Sequence, residues 1–164
     1  MTALDGLDVL VNNAGIGMRT VNPRFLTDPQ PFWYVPPAGF RDLVATNLTG
    51  YFLVARAVVP RFLADGAGRV VNVSSGAGQL ATMSSYAPAY SMSKTALNAF
   101  TRILADTYRS SGVLANAVDP GWARTDMGGA LSATVAAARR GHDCLARHAS
   151  GRWSYGWILP RPTR

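Results

Sequence analysis

The chain has 164 residues, enough for about one domain, and its 48% hydrophobic content places it outside the disordered class. The formal charge of +7 invites a nucleic-acid reading, but residues 130–164 hold six arginines against one aspartate, which leaves ten basic and eight acidic side chains for residues 1–129. The single cysteine, Cys144, excludes an internal disulfide, and with no basic n-region and no apolar run of spanning length the expectation is a soluble cytoplasmic protein that binds neither nucleic acid nor membrane.

Leu7-Asp8-Val9-Leu10-Val11 is a short apolar run that ends in Asn12-Asn13-Ala14-Gly15-Ile16-Gly17, as a buried parallel strand ends in a turn of small residues. Small residues there let a flat ligand approach the backbone, although an ordinary Asn/Gly turn reads the same way. Residues 19–39 carry five prolines among Phe25, Phe32, Trp33 and Tyr34, which predicts an ordered aromatic loop, either over a pocket or as a surface flap.

From Phe40 to Leu63 the apolar residues Phe40, Leu43, Val44, Leu48, Phe52, Leu53, Ala57 and Val58 recur at helical spacing, with Asn47 interrupting the face. Asp65-Gly66-Ala67-Gly68 closes that helix. Arg69 to Val73 reads as a second strand, with Ser74-Ser75-Gly76-Ala77-Gly78 at its carboxyl end, where ligands bind in open parallel sheets.

Tyr90-Ser91-Met92-Ser93-Lys94 then opens a helix running to about Ser110. Its spacing sets a phenol and an ammonium on one helical face. At about 4 Å and an effective dielectric of about 20, such a charge favours the phenolate by roughly 4 kcal/mol, so the tyrosine would trade a proton near neutral pH. Lys94 is the only lysine in the chain. Taken alone, Tyr-x-x-x-Lys is more often a half-buried aromatic and a solvated charge. Val113 to Val118 is a third strand, followed by the turn Asp119-Pro120-Gly121-Trp122-Ala123-Arg124-Thr125. The strand–helix alternation predicts an α/β fold with right-handed crossovers and a parallel sheet covered on both faces.

Five segments in this order resemble the short-chain dehydrogenase/reductase family, especially its carbonyl-reductase-like and ketoacyl-reductase-like members. They are Asn12-Asn13-Ala14-Gly15, Asn47-Leu48-Thr49-Gly50, Val71-Asn72-Val73-Ser74-Ser75, Tyr90-x-x-x-Lys94 and Pro120-Gly121-Trp122-x-Arg124-Thr125-Asp126-Met127. The resemblance implies a Rossmann-type doubly wound parallel sheet and an NAD(P)-dependent oxidoreductase that interconverts a carbonyl and an alcohol. By motif, Tyr90 would be the general acid, Lys94 would lower its pKa and bind the nicotinamide ribose, Ser75 would hydrogen-bond the substrate oxygen, and Asn47 would hold a relay water. Asn13, Ala14 and Gly15 would line the adenosine ribose side of NADP or NAD, and Pro120, Gly121, Ala123 and Thr125 the nicotinamide end. Helices 40–63 and 91–110 would make a homo-oligomer.

The family begins with a strand and a Thr-Gly-x-x-x-Gly-x-Gly turn that cradles pyrophosphate, and the resemblance here starts at about the fourth strand and covers residues 1–129 as a partial domain. The gap between Ser75 and Tyr90 is about two residues longer than usual, within what a loop absorbs. Catalysis by these residues alone is therefore not expected; the alternative is a non-catalytic remnant that retains only the oligomer helices. Residues 130–164 fit no element. One choice of codons shifted by a base from Asp143 onward reads TAWLATLPDGGPTGGFFRD, similar to the family's ending, and Trp153 and Trp157 are forced to glycine in that frame because tryptophan has one codon. An out-of-frame tail is the expectation; a genuine divergent tail is the alternative. His142-x-Cys144-x-x-x-His148 has a permissible ligand spacing but lacks a fourth ligand, so no metal is expected.

Overall fold

Leu10, Asn12, Val70, Asn72, Ala115 and Ala117 occupy alternate positions of three extended segments, and that alternation decides which side of the sheet is buried. The computed structural model describes residues 6–122, Met127 and the backbones of 144–147 and 153–156. Strands β1 (Val9–Asn12), β2 (Gly68–Val73) and β3 (Val113–Val118) pair in parallel, with Asn12 opposite Asn72 and Asn72 opposite Ala117. The α/β parallel-sheet class expected from the sequence is present.

Helix α1 (Pro37–Val44) passes through a π-type turn (Ala45–Thr49) into α2 (Gly50–Asp65), and α3 (Pro88–Thr107) follows β2. Proline at the first turn of α1 and of α3 suits each start, because a helix leaves its first N–H groups unpaired anyway. Gly66, at φ 67°, ends α2 in the left-handed conformation that glycine adopts without strain, as anticipated. Ala55, Val59 and Phe62 of α2 meet Leu104 and Ala105 of α3 over Val70, Val113 and Ala115. Burying a side chain such as Phe62 contributes roughly 2–3 kcal/mol.

Four expectations need correction. Strand order β1-β2-β3 steps across the sheet in one direction, so two right-handed crossovers bring both helices to the same side. Among the described residues the other face is uncovered, with Val9, Val11 and Leu114 exposed, rather than the sheet being covered on both faces. Second, the buried stripe of the long helix is Leu43, Asn47, Tyr51, Ala55, Val59 and Phe62, and Phe52 and Leu53 point to solvent. The π-type turn gives a spacing of four in place of 3.6, which rotates the buried face onto Asn47.

Third, the merged helix Pro37–Asp65 runs for 29 residues and is long and apolar enough to cross a membrane by length and composition. No such run was expected, because the sequence pattern was read from Phe40 to Leu63 as one amphipathic face. Fourth, the tail does contribute elements: β4 (Cys144–Arg147) pairs antiparallel with β3, and β5 (Trp153–Gly156) antiparallel with β4. The backbone of β3 offers an open edge there, and edge pairing satisfies main-chain groups whatever the side-chain pattern.

Candidate active site

All three parallel strands end at one cleft of about 740 Å³. Asn13, Ala14 and Gly15 reach it from β1, Ser75, Gly76 and Ala77 from β2, and Asp119, Pro120 and Gly121 from β3. Tyr90 and Lys94 enter from the first turns of α3. The expected residues Asn13, Ala14, Gly15, Ser75, Tyr90, Lys94, Pro120 and Gly121 are thus brought together. Ala123 and Thr125 lie outside the described residues, as do His142 and His148.

Ser75 is extended and caps the short turn Gly76–Gly78, its Oγ accepting from the Ala77 N–H at 3.2 Å. That turn is seated directly on α3. A Cβ on Gly78 would come within 2.8 Å of the Lys94 carbonyl carbon, and the Gly78 carbonyl accepts from Thr95 Oγ1 at 3.0 Å and Asn98 Nδ2 at 3.1 Å. Only glycine lets the turn close onto the helix in this way. As a result Ser75 and Tyr90, fifteen residues apart, both line the cleft, with the serine hydroxyl near enough to bear on the acidity of the phenol.

The electrostatics differ from the expectation. Burial raises the Tyr90 phenol above its ordinary value; the Ser75 hydroxyl pulls it back, and the charges of Asp119 and Tyr86 push it up again. The Lys94 ammonium donates to the Val73 carbonyl at 2.8 Å, lies 5.8 Å from the Tyr90 ring centroid and 5.5 Å from that of Tyr51, and is itself lowered to about 8 by burial. Helical spacing does set both groups at the cleft, but the lysine's long stem turns its charge to a strand carbonyl. A Cβ on Gly15 would stand 3.8 Å from that nitrogen, so the glycine keeps the approach to it open.

Asn47 does not line the cleft. Its Oδ1 accepts from the Ile16 N–H at 2.9 Å, and its Nδ2 donates to the Ile16 carbonyl at 2.9 Å and to Ser93 Oγ at 3.1 Å. Both amide hydrogens are used, so the side chain fixes the turn after β1, and a relay water at Asn47 would donate to the second lone pair of Oδ1. The same turn is braced from below by residues that the sequence reading passed over. Asn12 Nδ2 donates to Asn72 Oδ1 at 2.8 Å, and Asn72 Nδ2 to Thr101 Oγ1 at 2.8 Å. Two predicted strands each ending near an inward asparagine were the available signal.

Phe25 and Tyr86 stack at 6.0 Å and, with Met18, Leu26, Trp122 and Met127, make the apolar wall. The aromatic loop therefore contributes Phe25 and Leu26, whereas Phe32, Trp33 and Tyr34 are exposed. Among the described residues no three His, Cys, Asp or Glu side chains cluster as metal ligands would.

A family model described as short chain dehydrogenase matches residues 1–136. The chain is 38% identical over 118 residues to a 2-dehydro-3-deoxy-L-rhamnonate dehydrogenase (NAD(+)) of Sphingomonas sp. (strain SKA58), covering 72% of this chain and 43% of that protein. It is 35% identical over 132 residues to the 3-oxoacyl-[acyl-carrier-protein] reductase FabG of Aquifex aeolicus, covering 80% and 48%. The chain thus spans about half the length of these curated relatives. Among solved structures it is similar to NADPH-bound carbonyl reductase from chicken fatty liver, with a TM-score of 0.67 at 29% identity, covering 82% of this chain and 56% of that one.

Proposed function

The chain belongs to the short chain dehydrogenase family, and on that premise we propose that it is part of an NAD(P)-dependent oxidoreductase interconverting a carbonyl and an alcohol. The observation that carries this reading is the meeting of Ser75, Tyr90 and Lys94 in one cleft at the end of a parallel strand, with Lys94 one helical turn on from Tyr90.

When bound, the nicotinamide supplies or takes the hydride. The chain's own groups do the rest. In the reducing direction the Tyr90 hydroxyl, kept protonated by its raised pKa, gives its proton to the carbonyl oxygen, while Ser75 donates a hydrogen bond where negative charge develops. Lys94 and Gly15 suit the nicotinamide ribose: the ammonium has two further donors beyond its bond to Val73, and the glycine leaves it reachable. Asn13 and Ala14 would line the adenosine ribose side, and Pro120 and Gly121, continued by Ala123 and Thr125, the nicotinamide ring. Lys94, Gly15, Pro120 and Gly121 fit the nicotinamide riboside half of a dinucleotide. NAD and NADP differ by a phosphate on the adenosine ribose, and neither Asn13 nor Ala14 brings a side-chain charge that would tell them apart, so the reading names either.

Two experiments test it. Titration with NADPH and with NADH, followed by tryptophan fluorescence, is expected to give saturable quenching through Trp122; its absence with both would remove the reading. Tyr90→Phe is expected to lower turnover about 10²–10⁴-fold while cofactor quenching persists. Parallel loss of both would make Tyr90 a structural residue.

A homo-oligomer formed through α2 and α3 belongs to the same proposal, supported by the exposed apolar side chains Phe52, Leu53, Met92 and Ile103 on those helices. A soluble, cytoplasmic setting goes with it.

A further inference from the structure

The wall of the cleft carries one acidic side chain that the reaction just described does not use. Asp119 follows the last residue of β3, and of the described residues lining the cleft only it and Lys94 hold a formal charge at neutral pH. Its orientation is fixed from two sides. Oδ1 accepts from the Gly121 N–H at 3.0 Å, and Oδ2 stands 2.9 Å from where a Cβ on Gly76 would be, so the absence of a side chain at Gly76 makes room for the carboxylate beside the Ser75 turn. Among the described residues no ion pair joins it to Lys94, whose ammonium reaches the Val73 carbonyl. The same cleft is lined by the stacked rings of Phe25 and Tyr86 and by Trp122.

A carboxylate among aromatic faces is the arrangement that selects an organic cation: the charge attracts it, and ring faces replace part of its hydration. A neutral substrate gains at most a hydrogen bond from the carboxylate, and an anion is repelled. We propose that Asp119 makes this a cleft for carbonyl or alcohol substrates that carry a positively charged ammonium-type group, recognised by the carboxylate together with the Phe25, Tyr86 and Trp122 rings. The inference rests on the oxidoreductase reading of the cleft and names its substrate class. It has a kinetic corollary. Asp119 opposes negative charge on the Tyr90 oxygen, and a bound cation cancels that field, so the substrate's own charge eases the proton transfer.

The test uses two ketones of one shape, 4-(trimethylammoniomethyl)acetophenone, whose charge is permanent, and the neutral 4-neopentylacetophenone. Binding of each to the full chain is followed by tryptophan fluorescence, and oxidation of NADPH by absorbance. The cation is expected to bind about 10–100-fold more tightly than the neutral ketone, with the preference falling as salt rises. Asp119→Asn, which keeps an acceptor for Gly121, is expected to bring the ratio close to one. Equal binding of the two ketones by the unaltered chain overturns the inference whatever the variant does. A preference that survives Asp119→Asn overturns it too, as does an unchanged ketone ratio accompanied by weakened NADPH binding, which would assign the carboxylate to the cofactor. A cation preference lost in Asp119→Asn with no NADPH oxidation supports the inference and counts against the oxidoreductase reading instead.

Discussion

Lys94 and Tyr51 illustrate how burial sets chemistry at single residues. With its pKa lowered to about 8, Lys94 in the folded chain sheds its proton where the unfolded chain still holds one. Below pH about 8 the ammonium is charged in both states and its burial is a constant cost. Between about 8 and 10.5 the unfolded state binds more protons, so stability rises with pH by up to roughly 1.4 kcal/mol per unit. Tyr51, pushed up to about 12 by burial and by Tyr90, and Tyr90 itself act oppositely above pH 10, where the folded state keeps the extra protons and stability falls. Urea midpoints measured across this range are expected to rise from pH 8 to 10 in the unaltered chain and stay level in Lys94→Met. A level curve in both would mean that Lys94 is solvated. Among the described residues the buried Tyr51 hydroxyl has no hydrogen-bond partner. Its removal in Tyr51→Phe is expected to leave stability unchanged or raise it by about 1 kcal/mol, which the same unfolding curves read.

At the scale of elements, the polar ladder from Asn12 through Asn72 to Thr101 ties two strands to α3. Thr101→Val keeps the shape and strands the Asn72 amide, for an expected loss of about 1–3 kcal/mol by chemical denaturation. Gly78→Ala would drive a methyl into the α3 backbone, which cannot give as a flexible side chain can. Its expected effect is to move Ser75 away from Tyr90, with turnover falling more than stability. The elements themselves were largely readable. Apolar runs ending in turns of small residues gave β1 and β2, and the start of α3, placed at Tyr90, lies within two residues of Pro88. Side-chain destinations were not. Lys94 chose the Val73 carbonyl, and Asn47 spent its amide on Ile16, because tertiary neighbours and not spacing supply the partners. The stripe of the long helix was misjudged since a π-type turn leaves no mark in an apolar pattern.

Among the described residues, two apolar surfaces lie uncovered: the outer side of α2 and α3, and the sheet face bearing Val9, Val11 and Leu114. One-sidedness could not be read from alternating strands and helices, because the side on which a helix lands depends on strand order. If α2 and α3 carry the oligomer, replacing Phe52 and Ile103 together by serine will shift the protein toward monomer in light scattering, while single surface changes of this kind alter stability by only about 0.5 kcal/mol. A monomeric unaltered chain would remove that part of the proposal. The seating of Gly78 on α3 has a consequence for motion. Ser75 and Tyr90 ride on one rigid piece, whereas Phe25 rides on a loop held by its own turns, its N–H bonded to the Asn22 carbonyl. Breathing of that loop would widen the mouth of the cleft and set how fast molecules come and go. The spacing of the two hydroxyls would stay the same, so traffic and chemistry run on separate clocks.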